Sequence, residues 1–86
     1  MKVHLPTQLH SYTRGAVVVE SPGATLADLM RDLDRRYPGI RFRVIDEQDA
    51  IRPHIRFFVN YEQAFDLNAP LKVSDEVRIV GALSGG

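Results

Sequence analysis

The sequence ends in Ala82-Leu83-Ser84-Gly85-Gly86, and the diglycine is its clearest chemical signal. Two residues without a Cβ make a narrow strip that can enter a cleft closed to larger side chains. The terminal carboxylate of Gly86, ionised at neutral pH, would then be the reacting group. The alternative is a frayed terminus, because chain ends are commonly poorly ordered and tolerate small residues. The tail alone does not decide between these interpretations.

The remaining reactive side chains show no catalytic spacing. His4, His10 and His54 match no metal-binding pattern, so no metal site is expected. The serines lack a nucleophile motif and the glycines form no phosphate loop. The chain has no cysteine, which excludes disulfides, thiolate metal sites and a cysteine nucleophile. Any sulfur handled here must therefore come from another molecule.

Length and charge narrow the class of protein. The 86 residues predict one domain, and eleven basic residues balance eleven acidic ones. A nucleic-acid-binding protein would usually carry a basic excess. Residues 1–6 lack the apolar run of a signal peptide, and no stretch is long enough to span a membrane. We therefore expect a cytoplasmic protein with neither nucleic acid nor membrane as a partner.

One helix is predicted from Thr25 to Tyr37. Thr25 is a favourable N-cap, and Asp28 complements the positive helix start. Pro38-Gly39 ends the helix. One face carries an apolar stripe with helical spacing, formed by Leu26, Leu29, Met30, Leu33 and Tyr37. This stripe must pack on the strands, which are the only other elements expected.

Strands are predicted at 2–5, 16–20, 55–60, 63–66 and 76–80, with Leu71 and Val73 tucked beneath the sheet. Residues 7–15 are interpreted as a hairpin loop, and 40–54 as an irregular connection with a little strand. This order predicts an α+β, β-grasp (ubiquitin-like) roll, a mixed sheet of four to five strands on one main helix. In that fold the last strand lies parallel to the first. Residues 1–80 would form the domain, and residues 81–86 a flexible tail reaching about 20 Å.

Strand alternation places Phe58, Val80 and Val18 on the sheet face away from the helix. Exposed apolar surface often marks a partner site, so we predict partner binding there, with Arg56, Arg78 and Leu83 as neighbours. The alternative is that residues 40–54 cover this face.

A run of arginines follows the helix stripe. It allows two interpretations: a solvated face with local acid pairs, or a patch for an acidic partner. Its members are Arg31, Arg35, Arg36, Arg41 and Arg43.

The chain resembles the ThiS/MoaD family of ubiquitin-like sulfur carriers nearly end to end. The terminal diglycine is the specific feature, and the other matches are general β-grasp packing signals. These are Thr25-Leu26 with Leu29 and Leu33, Tyr37-Pro38-Gly39, Phe58-Val59-Asn60 with Glu62, and Asp75-Glu76-Val77.

The resemblance implies a carrier rather than an enzyme. An adenylating, E1-like enzyme would use ATP on the Gly86 carboxylate, a sulfur donor would convert the acyl-adenylate to a thiocarboxylate, and an acceptor synthase or other biosynthetic enzyme would take the sulfur. The tail that enters these partners comprises Gly81, Ala82, Leu83, Ser84 and Gly85, with Leu83 as its anchor. The carrier itself would bind no cofactor.

The branch and the competing functions stay open. The long 40–54 segment favours the molybdopterin-synthase small subunit, although thiamine, cysteine or other sulfur metabolites are alternatives. Tyr61 and Ser74 stand where relatives often have Gly, and Gly81 where they often have Pro, which would loosen the base of the tail. A protein modifier joined to lysines through Gly86, and a plain β-grasp binding module, are the rival functions.

Overall fold

The computed structural model describes residues 1–81. Its elements are β1 (Lys2–His4), a 3₁₀ helix (Thr7–Thr13), β2 (Val18–Glu20), α1 (Leu26–Arg36), α2 (Ile40–Val44), β3 (Ile55–Val59), β4 (Glu62–Ala64) and β5 (Glu76–Gly81). Within residues 1–81, no helix combines the length and apolar character needed to cross a membrane.

The five strands form one mixed sheet in the order β2-β1-β5-β3-β4. β1 pairs parallel with β5, in the register Val3 to Val77, and β3 pairs antiparallel with β5, with Phe57 opposite Ile79. The sheet with α1 on one face confirms the predicted β-grasp class. The strand that precedes the tail therefore lies at the centre of the sheet.

Helix α1 forms as predicted. Thr25 Oγ1 accepts a hydrogen bond from the Asp28 backbone N–H at 3.2 Å, which satisfies a donor that the first helical turn leaves free. Four residues of the predicted stripe, Leu26, Leu29, Met30 and Leu33, are fully inaccessible to solvent, and Tyr37 is partly buried. They pack with inward side chains of the strands into a single core.

A buried acid connects this helix to the end of β2. Asp32 is 8% exposed. Ser21 Oγ donates to its Oδ2 at 2.9 Å, Arg36 Nη2 donates to the same oxygen at 2.8 Å, and Arg35 donates to Oδ1. Burial raises the pKa of Asp32, but the hydrogen bonds from Ser21 and Arg36 and the two arginine charges outweigh it and hold that pKa below its ordinary value.

Two segments predicted as loop or strand are helical instead. Residues 7–13 form a 3₁₀ helix because Leu9, 1% exposed, turns into the core from an otherwise polar segment. Residues 40–44 form α2, in which Ile40 and Val44 are buried one turn apart while Phe42 is 54% exposed. The apolar residues at 40 and 44 fit a helix turn as well as a strand, and burial beside α1 selects the helix.

Smaller differences concern strand bounds and one side chain. β2 begins two residues later than predicted, with Val17 exposed, and β4 spans Glu62–Ala64. Leu71 packs against the core, but Val73 is 91% exposed, so its predicted burial is wrong. The turn at residues 73–74 carries Val73 away from the sheet.

Candidate functional site

The predicted reacting group follows the central strand of the sheet. β5 pairs with β1 at residues 76–78 and with β3 at residues 77–81, so its direction is fixed as far as Gly81. Gly81, which was predicted to begin the tail, is the last residue of β5 and lies opposite Ile55. The other tail positions fall outside the described residues: Ala82, Leu83, Ser84, Gly85 and Gly86.

The side chain of Gln8 lies against Gly81. A Cβ placed on Gly81 would stand 2.6 Å from Gln8 Nε2 and 2.8 Å from its Cδ and Oε1. Glycine at this position therefore lets the amide of Gln8 pack on the backbone where the tail begins. Sequence reasoning missed Gln8 because the 3₁₀ helix that carries it was interpreted as a loop.

The four predicted partner-binding residues lie on two neighbouring strands. In the register of β3 with β5, Arg56 is opposite Val80 and Phe58 is opposite Arg78. All four alternate with buried residues and thus belong to the sheet face away from α1. Val80 is 43% exposed, Arg56 is exposed, and Phe58 and Arg78 are half-buried.

Val18 does not join this group. It pairs with His4 on β1, and His4 pairs with Arg78 on β5, so two polar side chains separate Val18 from Phe58. Three strand spacings amount to about 14 Å. The apolar part of this face is therefore the diagonal pair Phe58 and Val80. Residues 40–54 leave Val80 43% exposed, and on this face the Pro53 carbonyl accepts a hydrogen bond from Arg56.

A polar network borders the apolar pair. The Arg78 guanidinium stacks on the ring of Tyr61, 4.5 Å from its centroid, and Arg78 Nη2 lies 4.0 Å from Glu76 Oε1. Glu76 Oε1 is also 2.8 Å from His4 Nε2, and this hydrogen bond is the main cause that lowers the pKa of Glu76. Among the described residues, Arg78 Nη1 is buried without a hydrogen-bond partner. Strand alternation predicted that Arg78 lies on this face of the sheet. Its contacts with Tyr61 and Glu76 depend on a turn geometry that the sequence did not specify.

That turn joins β3 to β4 and has an uncommon backbone. Asn60 and Tyr61 have φ of 50° and 76°, in the left-handed region that favours Asn and Gly. The Asn60 side chain donates to Asp75 Oδ1 at 2.7 Å and accepts from the Glu76 N–H at 2.9 Å. Tyr61 thus occupies a position that suits glycine, and its ring covers Arg78.

The arginine run does not form one patch. Arg35 and Arg36 both bind Asp32, whereas Arg31 pairs with Asp28 at 2.7 Å. Arg41 pairs with Asp49 at 2.8 Å. Local acid pairs therefore account for these four members, and the exposed Arg43 is the fifth. In the part of the chain from 1 to 81, no cluster of three or more His, Asp or Glu side chains is arranged to hold a metal ion.

Known proteins resemble the chain over nearly its whole length. The curated sulfur carrier protein CysO of Mycobacterium tuberculosis is 32% identical over 89 residues, covering 98% of this chain and 96% of that protein. The crystal structure of the Amycolatopsis orientalis BexX/CysO complex contains a chain 33% identical, with a TM-score of 0.90 and coverage of 99% and 98%. The Haloferax volcanii small archaeal modifier protein 1 is 25% identical, with a TM-score of 0.76 and coverage of 96% and 97%.

The family model agrees with these likenesses and with the fold. The model of the ThiS family matches residues 3–86, from the first strand of the sheet through the diglycine. With a β-grasp sheet, a central last strand and this match, the chain belongs to the ThiS family.

Proposed function

We propose that the protein is a sulfur carrier that works through the carboxylate of Gly86. In the first step, a carboxylate oxygen attacks the α-phosphate of ATP on an activating enzyme, forming an acyl-adenylate and releasing pyrophosphate. Sulfide-level sulfur from a donor then attacks the acyl carbon and displaces AMP, which leaves a thiocarboxylate. The sulfur is passed to an acceptor, and water supplies the oxygen that restores the carboxylate. The partners supply the catalytic groups, and this chain acts as a co-substrate.

The observation that carries the proposal is the position of β5 in a ThiS-family chain. β5 pairs with β1 as far as Arg78 and with β3 as far as Gly81, and five residues ending in Gly85-Gly86 follow it. Five extended residues reach about 17 Å. A narrow strip of that length on a rigid support fits insertion into a partner's cleft.

We propose that partners recognise the sheet face away from α1, the outer sheet face. Phe58 and Val80 supply apolar contact area, and Arg56 and Arg78 lie directly opposite them. The Arg78 guanidinium, stacked on the Tyr61 ring, adds a positive charge at the border of this apolar pair.

The metabolic pathway is not assigned. The sequence favoured the molybdopterin branch, but the relatives described above are CysO proteins and an archaeal modifier protein, and they do not support that preference. The likeness to CysO supports sulfur carriage without naming the product.

Intact mass spectrometry of the protein purified from its native source tests the proposal. The expected species ends at Gly86 and carries one sulfur in place of one terminal oxygen. Its formation should require ATP, the activating enzyme and the sulfur donor, and should cease when Gly86 is deleted. Absence of this species with all three components active would refute the proposal.

Conjugation to other proteins is a second candidate, favoured by the likeness to the small archaeal modifier protein 1. The same adenylate would then form an isopeptide bond with a lysine amine. Immunoblots of native lysates separate the two functions, because covalent ladders that vanish on deletion of Gly86 indicate a modifier. A variant with one residue added after Gly86 tests the third possibility, since full function in that variant would show that the tail is idle.

A further inference from the structure

A cleft of about 700 Å³ lies at the edge of the domain where β3 extends past the end of β4. It forms because β4 pairs only with residues 57–59 of β3. The first two residues of β3, Ile55 and Arg56, continue beyond the end of β4, and the chain after β4 diverges from them. Helix α1, Arg41 of α2, the connection at 49–53 and residues 65–68 supply the remaining walls.

The walls of this cleft are positively charged. Four arginines line it, together with two acids; the residues are Arg31, Arg41, Arg52, Arg56, Asp49 and Asp66. The lining residues therefore carry two more positive than negative charges, and one of the arginines, Arg31, also pairs with Asp28 outside the lining. Charged walls of one sign in a concave surface concentrate the field and attract groups of opposite charge.

Two of these arginines have no carboxylate in contact. Arg52 Nε donates to the Phe42 carbonyl at 2.7 Å, and its guanidinium stacks on the Phe42 ring at 4.5 Å. Arg56 Nη1 donates to the Pro53 and Ile55 carbonyls at 2.6 and 3.0 Å. Neutral groups thus fix both guanidiniums in place while leaving their charge uncompensated by any ion pair within residues 1–81. The charge of Arg52 also helps to lower the pKa of Asp46, although backbone N–H groups are the main cause.

The cleft adjoins the end of the central strand. Ile55 is opposite Gly81, and Arg56 is opposite Val80, so the wall of the cleft is one inter-strand spacing from the point where the tail begins. This separation is about 5 Å. A protein that takes up the tail must approach this end of the sheet and can contact the cleft with the same surface.

We propose that the cleft docks an acidic segment of the activating enzyme, with Asp or Glu carboxylates bound by Arg52 and Arg56. A planar guanidinium binds a carboxylate through two parallel N–H donors, and positioning by neutral carbonyls lowers the ordering cost of binding. The choice of partner depends on the proposed carrier function, whereas the binding of acidic peptide does not.

Titration of the isotopically labelled full chain by NMR tests the peptide-binding step at low salt. The probe is a capped hexaglutamate peptide, with capped hexaglutamine as the neutral control and inorganic tripolyphosphate as a separate arm. Hexaglutamate should shift the Nε–H signals of Arg52 and Arg56 and the amides of residues 49–56 and 63–68. Arg52→Gln should weaken its binding about fivefold to tenfold. Arg31→Gln, on the surface of α1, should weaken it in the same direction and disturbs the fold less.

Arg43→Gln is the matched control, since it removes the same charge from an exposed arginine outside the cleft. It should change affinity less than about twofold. Equal losses in Arg43→Gln and Arg52→Gln would overturn the proposal, because binding would then follow overall charge alone. Binding of tripolyphosphate without hexaglutamate would also overturn it and would indicate a phosphorylated small molecule.

The choice of partner is tested with the cognate activating enzyme by ATP–pyrophosphate exchange. Arg52→Gln should raise the KM for the carrier with kcat unchanged, and an unchanged KM would overturn the assignment to that enzyme. Absence of exchange with the unaltered chain would instead refute the carrier function, so the two failures are distinguishable.

Discussion

Replacing Asp32 by asparagine tests the buried acid that joins α1 to the end of β2. The carboxylate receives hydrogen bonds from Ser21, Arg35 and Arg36, and its side chain is 10% exposed. Hydrogen bonds to a charged group contribute about 1.5–3 kcal/mol each. The arginines are 75% and 37% exposed, so solvent reduces their share, and asparagine retains an oxygen for Ser21. We expect Asp32→Asn to lower the free energy of unfolding by about 2 kcal/mol at neutral pH.

The same substitution has a predicted pH dependence. The pKa of Asp32 lies below its ordinary value of 3.8 in the folded protein. The stabilisation is therefore fully present above that ordinary value and is lost as the pH falls through the lower folded pKa. Urea unfolding of both proteins at about pH 7 and about pH 2 should show a difference that shrinks at the acidic value.

Asp49→Asn provides the matched control. Asp49 also pairs with one arginine, but its side chain is 77% exposed, so the change should cost less than about 0.5 kcal/mol. The reasoning is refuted if the two variants lose equal stability, or if the deficit of Asp32→Asn is the same at both pH values.

Three further predictions concern stability and are measured by urea unfolding. Gly23→Ala should lower the free energy of unfolding by about 1–3 kcal/mol, because the added Cβ would lie 2.8 Å from the backbone of helix α1. In Gly81→Ala the added Cβ meets only the flexible end of the Gln8 side chain, so the loss should be less than about 1 kcal/mol. Equal losses in the two variants would contradict this reasoning. Phe57 lies in the core, so Phe57→Ala should lower the free energy of unfolding by about 3–5 kcal/mol. Phe65 is 79% exposed, so Phe65→Ala should lower it by less than about 0.5 kcal/mol. A small loss in Phe57→Ala would be inconsistent with the burial of Phe57. Asn60→Ala removes the two side-chain hydrogen bonds that hold the turn after β3, and it should lower the free energy of unfolding by about 2 kcal/mol. An unchanged midpoint of urea unfolding would show that these bonds are dispensable.

The sequence predicted the elements whose signals are local and periodic. Helix α1 has both an N-cap residue and an apolar stripe with helical spacing. In β3, side chains that face the core alternate with side chains that face away from it over five residues. The parallel pairing of β1 with β5 followed from the order of elements. These features define the class of fold and the strand that precedes the tail.

The missed features depend on contacts between distant parts of the chain. Leu9 is a single apolar residue in a polar segment and creates no hydrophobic periodicity, so the sequence did not predict the 3₁₀ helix. The contact of Gln8 in that helix with Gly81 was missed for the same reason. Ile40 and Val44 fit both a strand and a helix, and only burial beside α1 decides between them. The cleft lined by Arg52 and Arg56 arises from the unequal lengths of β3 and β4, which no residue pattern reports.

The parallel pairing of β1 with β5 also has a consequence for biosynthesis. Val3 and Val77 are register partners, although almost the entire chain separates them. Closing so long a loop is entropically costly, and pairing of this kind slows folding. During translation, the middle of the sheet stays incomplete until β5 has left the ribosome. Without β5 the β1–β2 and β3–β4 pairs have no strand between them, so the sheet cannot be completed until nearly the whole chain has been made.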